Sequence, residues 1–200
     1  MTIDGLPWDV LLLGGSSGVG KSTVARELAR TLGVGICGVD DLHAAVRAMT
    51  TPRQLPVLHY WHTDPAAQSM TADEMVAHHI AVSRLLMPAI RIVAEQHVDD
   101  GDPVIVEGDY LVPEVLDPDP AWRPEILDRV RGVFLHEPDV AQVVRNLLRR
   151  EPHEGEQAGR AAVTQVLGDW LHEECTRRSV PSVDVRPLDS TPRRILSALA

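Results

Sequence analysis

The stretch "LLLGGSSGVGKSTVARELA", Leu11 to Ala29, decides the fold. An apolar run stops in small residues, and helical periodicity resumes at once. Gly15-Ser16-Ser17-Gly18-Val19-Gly20-Lys21-Ser22 fits G-x-x-x-x-G-K-[ST] at every fixed position. Such glycines let the backbone curl so that successive N–H groups converge on phosphate oxygens, and the helix behind adds its positive N-terminal end. The lysine and serine then have defined tasks: Lys21 bridges the β- and γ-phosphates, and the Ser22 hydroxyl ligates Mg²⁺. Gly15 to Ser22, together with Thr23, is therefore expected to cradle ATP and Mg²⁺.

Outward from this loop the chain reads as strands alternating with helices. "DVLLLGG" is a short buried strand, and Lys21 to Leu32 follows with Val24, Ala25, Leu28 and Leu32 on one face, closed by Gly33 as a C-cap. Further strands are "VGICGV" (34–39), "PVIVEG" (103–108), "VRGVFLH" (130–136) and "PSVDVRP" (181–187). Each is short, continuous and β-branched, as parallel strands buried on both faces are. The pattern predicts an α/β fold of three layers with a five-stranded parallel sheet in a single domain over 1–200.

Between the second and third strands lie about sixty residues, more than one crossover helix needs. "TADEM" (71–75) carries a capping box, Thr71 with Glu74, and opens a long helix that Pro88 should bend. The preceding "TTPRQLPVLHYWHTDPAAQS" reads as proline-rich and irregular. Residues 50–98 are thus expected to form a helical, acceptor-binding insertion. Polar "REPHEGEQAG" reads as a mobile flap, so a short lid is expected over about 149–160.

Composition narrows the partners. The net charge is −10, Lys21 is the only lysine, and no basic run stands out, so nucleic acid is not expected as a partner. No stretch is expected to reach the apolar length of a membrane span, and the first residues lack the basic start and apolar core of a signal peptide. Cys37 and Cys175 are too few and too far apart for a disulfide framework or zinc site, and His59, His62, His78 and His79 have no spacing that fixes a metal site. A cytoplasmic protein of unknown oligomeric state is expected.

A phosphate loop is shared by kinases, ATPases and GTPases, so the reaction must be read elsewhere. A chain with one lysine has no N-K-x-D segment for guanine, and "VIVEGD" offers Glu107 and then glycine instead of the paired acids of mechanical ATPases. "GVDDLHAAVR" (38–47) puts Asp40 and Asp41 at the carboxyl end of the second strand, where ligands bind in open α/β sheets. A carboxylate there can take the proton of an acceptor hydroxyl attacking the γ-phosphate. Asp40 is assigned this role, and Asp41 that of helix cap or substrate contact.

These stretches resemble the small-molecule branch of the P-loop kinases. "GGSSGVGKSTVARELA", "GVDDLHAAVR" and "VIVEGDYLVPE" (104–114) look like 2-phosphoglycerate kinase, whose corresponding stretch has an aspartate followed by arginines three and seven residues on. The loop and the "GVD-x-L" strand end are also similar to chloramphenicol phosphotransferase, where the aspartate is the base. The resemblance implies an acidic residue, here Glu107, near Mg²⁺ waters or the acceptor hydroxyl, with Tyr110 lining the acceptor pocket or packing beside it. It also implies lid arginines that neutralise transition-state charge or stack on adenine, here Arg149 and Arg145, with Arg150 and Arg160 as second choices. His43 stands where the phosphoglycerate pattern has its first arginine, and Arg47 occupies the second place. Both are candidate substrate contacts, and a neutral hydroxylated acceptor stays open. The expectation is an ATP-dependent kinase for a small-molecule hydroxyl. A nucleoside or nucleotide kinase and a nucleotide-binding regulatory ATPase are the alternatives.

Overall fold

Alternate residues of the first strand serve opposite faces of the sheet, which therefore needs a helical layer on each side. The structure, a computed structural model, describes residues 8–119, 122–152 and 157–199. Five parallel strands, β1 (Val10–Gly15), β2 (Gly35–Gly38), β3 (Val104–Glu107), β4 (Val130–His136) and β5 (Ser182–Asp184), lie in the order β2-β3-β1-β4-β5. Val10 and Leu12 join one apolar core with Val104, Val106 and Phe134, while Leu11 and Leu13 join the other with Ile105, Val133 and Leu135. Helices α1 (Lys21–Leu32) and α8 (Thr191–Ala198) cover the second core, through Val24, Leu28 and Ile195. The first is covered by α4 (Ala72–Asp100) and α7 (Ala158–Arg178), through Leu86, Ile90, Leu167 and Leu171. The expected three-layer parallel fold is what forms.

Three local expectations change. β2 is an edge strand, open along Gly35 and Ile36 and so not buried on both faces. The segment read as irregular is largely helical: α2 (Val39–Met49) is followed by α3 (Pro56–Thr63) and a 3-10 turn, Pro65–Ser69. Pro56 and Pro65 each open their element, where no backbone N–H is needed. The capping box of α4 forms as expected, and the helix continues through Pro88 to a left-handed Gly101 cap. One 18-residue window of α4 is, by length and composition, apolar enough to cross a membrane, contrary to expectation. In this fold Val76, Ile80, Leu86 and Ile90 of that helix are buried in the protein core.

A four-residue helix, α5 (Pro124–Leu127), precedes β4, and α6 (Val140–Arg150) follows it. The expected lid, 149–160, thus comprises the end of α6, the start of α7 and a connection of which residues 153–156 lie outside the described ones.

Candidate active site

The register of the sheet assembles the site. Leu13 of β1 pairs with Glu107 of β3, which pairs with Gly38 of β2, so the carboxyl ends of all three strands lie in one row. The phosphate loop follows β1, Asp40 follows β2 by two residues, and Asp109 follows β3 by two.

The loop is shaped as its sequence requires. Gly15 has φ 137°, and a Cβ there would lie 2.6 Å from the Leu135 carbonyl oxygen. Gly18 has φ 77°, and its carbonyl accepts from Asn146 Nδ2 of α6 at 2.8 Å. Lys21 is buried and donates from Nζ to the Ser16 carbonyl at 2.9 Å, which holds the ammonium across the mouth of the loop. Val19 packs into the core, while Ser17, Ser22 and Thr23 keep an exposed or half-exposed side. At Gly168 α7 passes so close that a Cβ would stand 3.1 Å from Ser16 Oγ.

Asp40 and Asp109 hydrogen-bond through their carboxyl groups, in the field of Lys21 and Glu107. Burial, then the charge of Asp109, pushes Asp40 up to about 6, against the pull of Lys21. Burial also pushes Asp109 upward, but Lys21, His79, its own backbone N–H and Arg150 outweigh it and hold it below the ordinary aspartate value. Asp109 was not among the sequence candidates. Its signal was an acid two residues past a buried strand, beside the Glu107 that was chosen.

Beyond this pair Tyr110 is stacked between His43 (ring centroids 4.7 Å apart) and His79 (4.5 Å). His79 Nε2 donates to the Asp109 carbonyl at 2.7 Å, joining the stack to the carboxyl pair. Burial, then the charges of Asp109 and Asp40, raises Tyr110 to about 12, so its hydroxyl stays protonated. Burial, then Arg47 and His62, lowers His43. The stack borders a cavity of about 880 Å³ that runs from Ser17 of the loop to α3, α4 and α7. Arg47 sits near its rim and hydrogen-bonds His62 Nε2.

Other candidates fall elsewhere. Asp41 does not cap α2: the N-cap is Gly38, with no side-chain bond, and both aspartates lie in the first helical turn. The Asp41 carboxylate turns back toward Gly38 and raises Cys37, to which burial contributes more. Arg145 is tied to Gln142 and Asp139 on the outer side of α6. Arg149 shares that exposed side, whereas Arg150 is the arginine of α6 whose charge reaches Asp109. Helical spacing explains the difference. Val143 and Leu147 are buried, and Arg150 continues their i, i+4, i+7 row, while Arg145 and Arg149 project from the opposite face. Among the described residues no three His, Cys, Asp or Glu side chains converge as a metal cage.

No protein-family model matches the chain. It is similar to 2-phosphoglycerate kinase from Pyrococcus furiosus, 32% identical over 108 residues, which cover 52% of this chain and 36% of that protein. The 2-phosphoglycerate kinase of Methanocaldococcus jannaschii aligns over 209 residues at 22% identity, covering 95% of this chain and 62% of its own length. The chain thus spans less than two thirds of either relative. Among solved structures, shikimate kinase from Acinetobacter baumannii superposes with a TM-score of 0.51 at 14% identity, over 96% of this chain and 93% of that one. The fold is that of the P-loop kinases, and the likeness in sequence is to the 2-phosphoglycerate kinases.

Proposed function

We propose that the protein transfers the γ-phosphate of ATP to a hydroxyl of a small molecule. One observation carries this reading: a glycine loop closed by Lys21 faces a carboxyl pair at the ends of the two neighbouring strands, beside a cavity large enough for an acceptor. The similarity to proteins named 2-phosphoglycerate kinase supports the same class.

The residues fit a nucleotide with its metal. Backbone N–H groups of Ser16 to Lys21 bind phosphate oxygens, and Lys21 neutralises charge between the β- and γ-groups. The Ser22 hydroxyl, with Glu107 nearby, suits a hard cation that takes most of its ligands from phosphate and water. When bound, Mg²⁺ offsets the charge on the transferring group. Asp40 accepts the acceptor's hydroxyl proton as that oxygen attacks, and a value near 6 leaves it mostly ionised at neutral pH yet basic enough to act. Asp109, kept ionised by Lys21 and His79, makes Asp40 more basic by its charge and accepts a hydrogen bond from Asp40 once Asp40 holds the proton. Arg150 and Arg160, at the two ends of the connection between α6 and α7, are the arginines proposed to meet the phosphates from the lid side. Nucleic acid and membrane surfaces are not proposed as partners of so acidic a chain, and two free thiols suit a cytoplasmic setting.

The test compares Asp40→Asn with Asp41→Asn. Asparagine keeps the shape of the side chain but takes no proton at neutral pH. Turnover with labelled ATP is expected to fall roughly 10²- to 10⁴-fold in the first and much less in the second. Nucleotide affinity is expected to change little in either. Full activity in Asp40→Asn would move the base elsewhere, with Glu107 next in line.

A further inference from the structure

We propose that the acceptor is an uncharged alcohol with a ring or a branched apolar body, and not a phosphorylated or carboxylated metabolite. The inference rests on the phosphotransferase reading above and concerns the cavity alone.

The wall is apolar over most of its extent: Leu58 of α3, Met70 before α4, Met75 and Val82 of α4, and Val163 of α7, with the half-exposed Trp61 at the rim. Of its four histidines, His43, His62 and His78 are disposed to stay uncharged at neutral pH, while the charge of His79 is directed at Asp109. Arg47 donates to His62 Nε2, which fixes that nitrogen as an acceptor and the imidazole as neutral. Burial lowers His43 and His78, further depressed by Arg47 in the first case and by His79 in the second. His79 and Tyr110 are spent on the stack, whose face and edges offer a ring the geometry that aromatic pairs prefer.

Fixed positive charge is scarce and committed. Lys21 belongs to the loop. Arg47 is engaged with His62, and Arg160 is paired with Glu151 and hydrogen-bonded to Gln157. Behind Tyr110, which lines the cavity, stand Asp109 and Asp40, whose charges reach that ring and repel an anion. An acceptor with both phosphate and carboxylate needs forked donors aimed into its site, and a partnered arginine serves only by giving up its present partner, His62 for Arg47 and Glu151 for Arg160. Size points the same way. A cavity of about 880 Å³ lies near the top of the usual range for ligand pockets, and a three-carbon acid such as 2-phosphoglycerate would fill a small part of it. An apolar body spanning Met75, Val82 and Val163 brings its hydroxyl toward Asp40. There the alcohol oxygen bonds to the γ-phosphorus, and the bond from that phosphorus to the β–γ bridging oxygen breaks. ADP departs with the electron pair, and the hydroxyl proton passes to Asp40.

The experiment offers γ-labelled ATP, with Mg²⁺, to an equimolar mixture of 2-phenylethanol, cyclohexylmethanol, 2-phosphoglycerate and gluconate. Binding of a non-hydrolysable ATP analogue is measured in parallel. At least tenfold more label is expected in the two alcohols than in the two acids. Equal or greater labelling of either acid overturns the inference and leaves the phosphotransferase reading standing. Analogue binding with no labelled alcohol overturns it as well, whereas failure to bind the analogue overturns the phosphotransferase reading itself. Met75→Glu, which sets a carboxylate on the apolar wall, is expected to cut alcohol labelling at least tenfold with analogue affinity unchanged. Undiminished labelling in that variant would remove the alcohols from this cavity and overturn the inference.

Discussion

Asp40 and Asp109 each stand two residues beyond a strand, and because those strands are neighbours the two carboxyl groups meet. A pair in contact gives up its protons in separate steps, since the second charge must form beside the first. Burial, then the charge of Asp109 that Lys21 and His79 keep ionised, makes Asp40 hold its proton to about pH 6. Because the folded value lies above the ordinary 3.8, the native state binds the extra proton between about pH 4 and 6. Its contribution to stability accordingly falls as pH rises through that window. If Asp40 is the base, as proposed, it works only when ionised, and kcat/KM should decline below about pH 6. In Asp109→Asn the neighbouring charge is gone while the burial remains, so the acid limb should move down by part of its displacement. A pH–rate profile of both proteins checks this, and an unmoved limb would separate Asp109 from the base. The loop was legible as a motif because its function is local. Asp109 was not, because its role arises from the pairing of β2 with β3, which joins residues far apart in the chain.

At the level of elements, hydrophobic periodicity carries most of the information, because it names the buried face of each helix. The row Val143, Leu147, Arg150 is present in the sequence and marks the buried face of α6, whereas Arg145 and Arg149, the arginines implied by the resemblance, lie on the other face. Prolines in residues 50–69 signalled helix starts as well as turns. The capping box was read correctly because both partners lie within one turn: Glu74 N–H reaches Thr71 Oγ1 at 3.3 Å, and Glu74 Oε2 accepts from the Thr71 N–H at 2.8 Å. The hydrogen bonds from Thr71 lower Glu74 below its ordinary value, backbone first and hydroxyl second. α4 carries much of the core on its side of the sheet and one wall of the cavity. Thr71→Ala should therefore cost the whole domain about 1 kcal/mol, the usual worth of such a cap, read as an earlier midpoint in urea with an unchanged slope. Thr71→Ser, which keeps the hydroxyl, should restore most of it.

Across the whole molecule the charge distribution is lopsided: eighteen arginines, twenty-nine acids and a single lysine, which lies in the phosphate loop. An excess of ten negative charges disfavours the approach of a nucleotide bearing four, so affinity must come from local groups that outweigh the distant field. The loop supplies them by converging backbone N–H groups, the start of α1 and Lys21, whose Nζ is already held across the loop by Ser16 and needs little reordering. Weaker repulsion in salt should thus improve binding at first, until screening also reaches the attraction of Lys21 itself. The lone lysine makes the placement of the nucleotide directly measurable. An acyl phosphate of ADP delivers its acyl group to an amine near the terminal phosphates, and no other lysine competes for it. Labelling should fall on Lys21, be suppressed more than tenfold by excess Mg·ATP, and vanish in Lys21→Arg. Its burial should make the same side chain slow toward a neutral amine reagent that lacks the nucleotide, so the ratio of the two rates reports docking and not mere exposure. Peptide mass spectrometry reads each outcome, and labelling of Lys21 indifferent to Mg·ATP would detach the nucleotide from the loop.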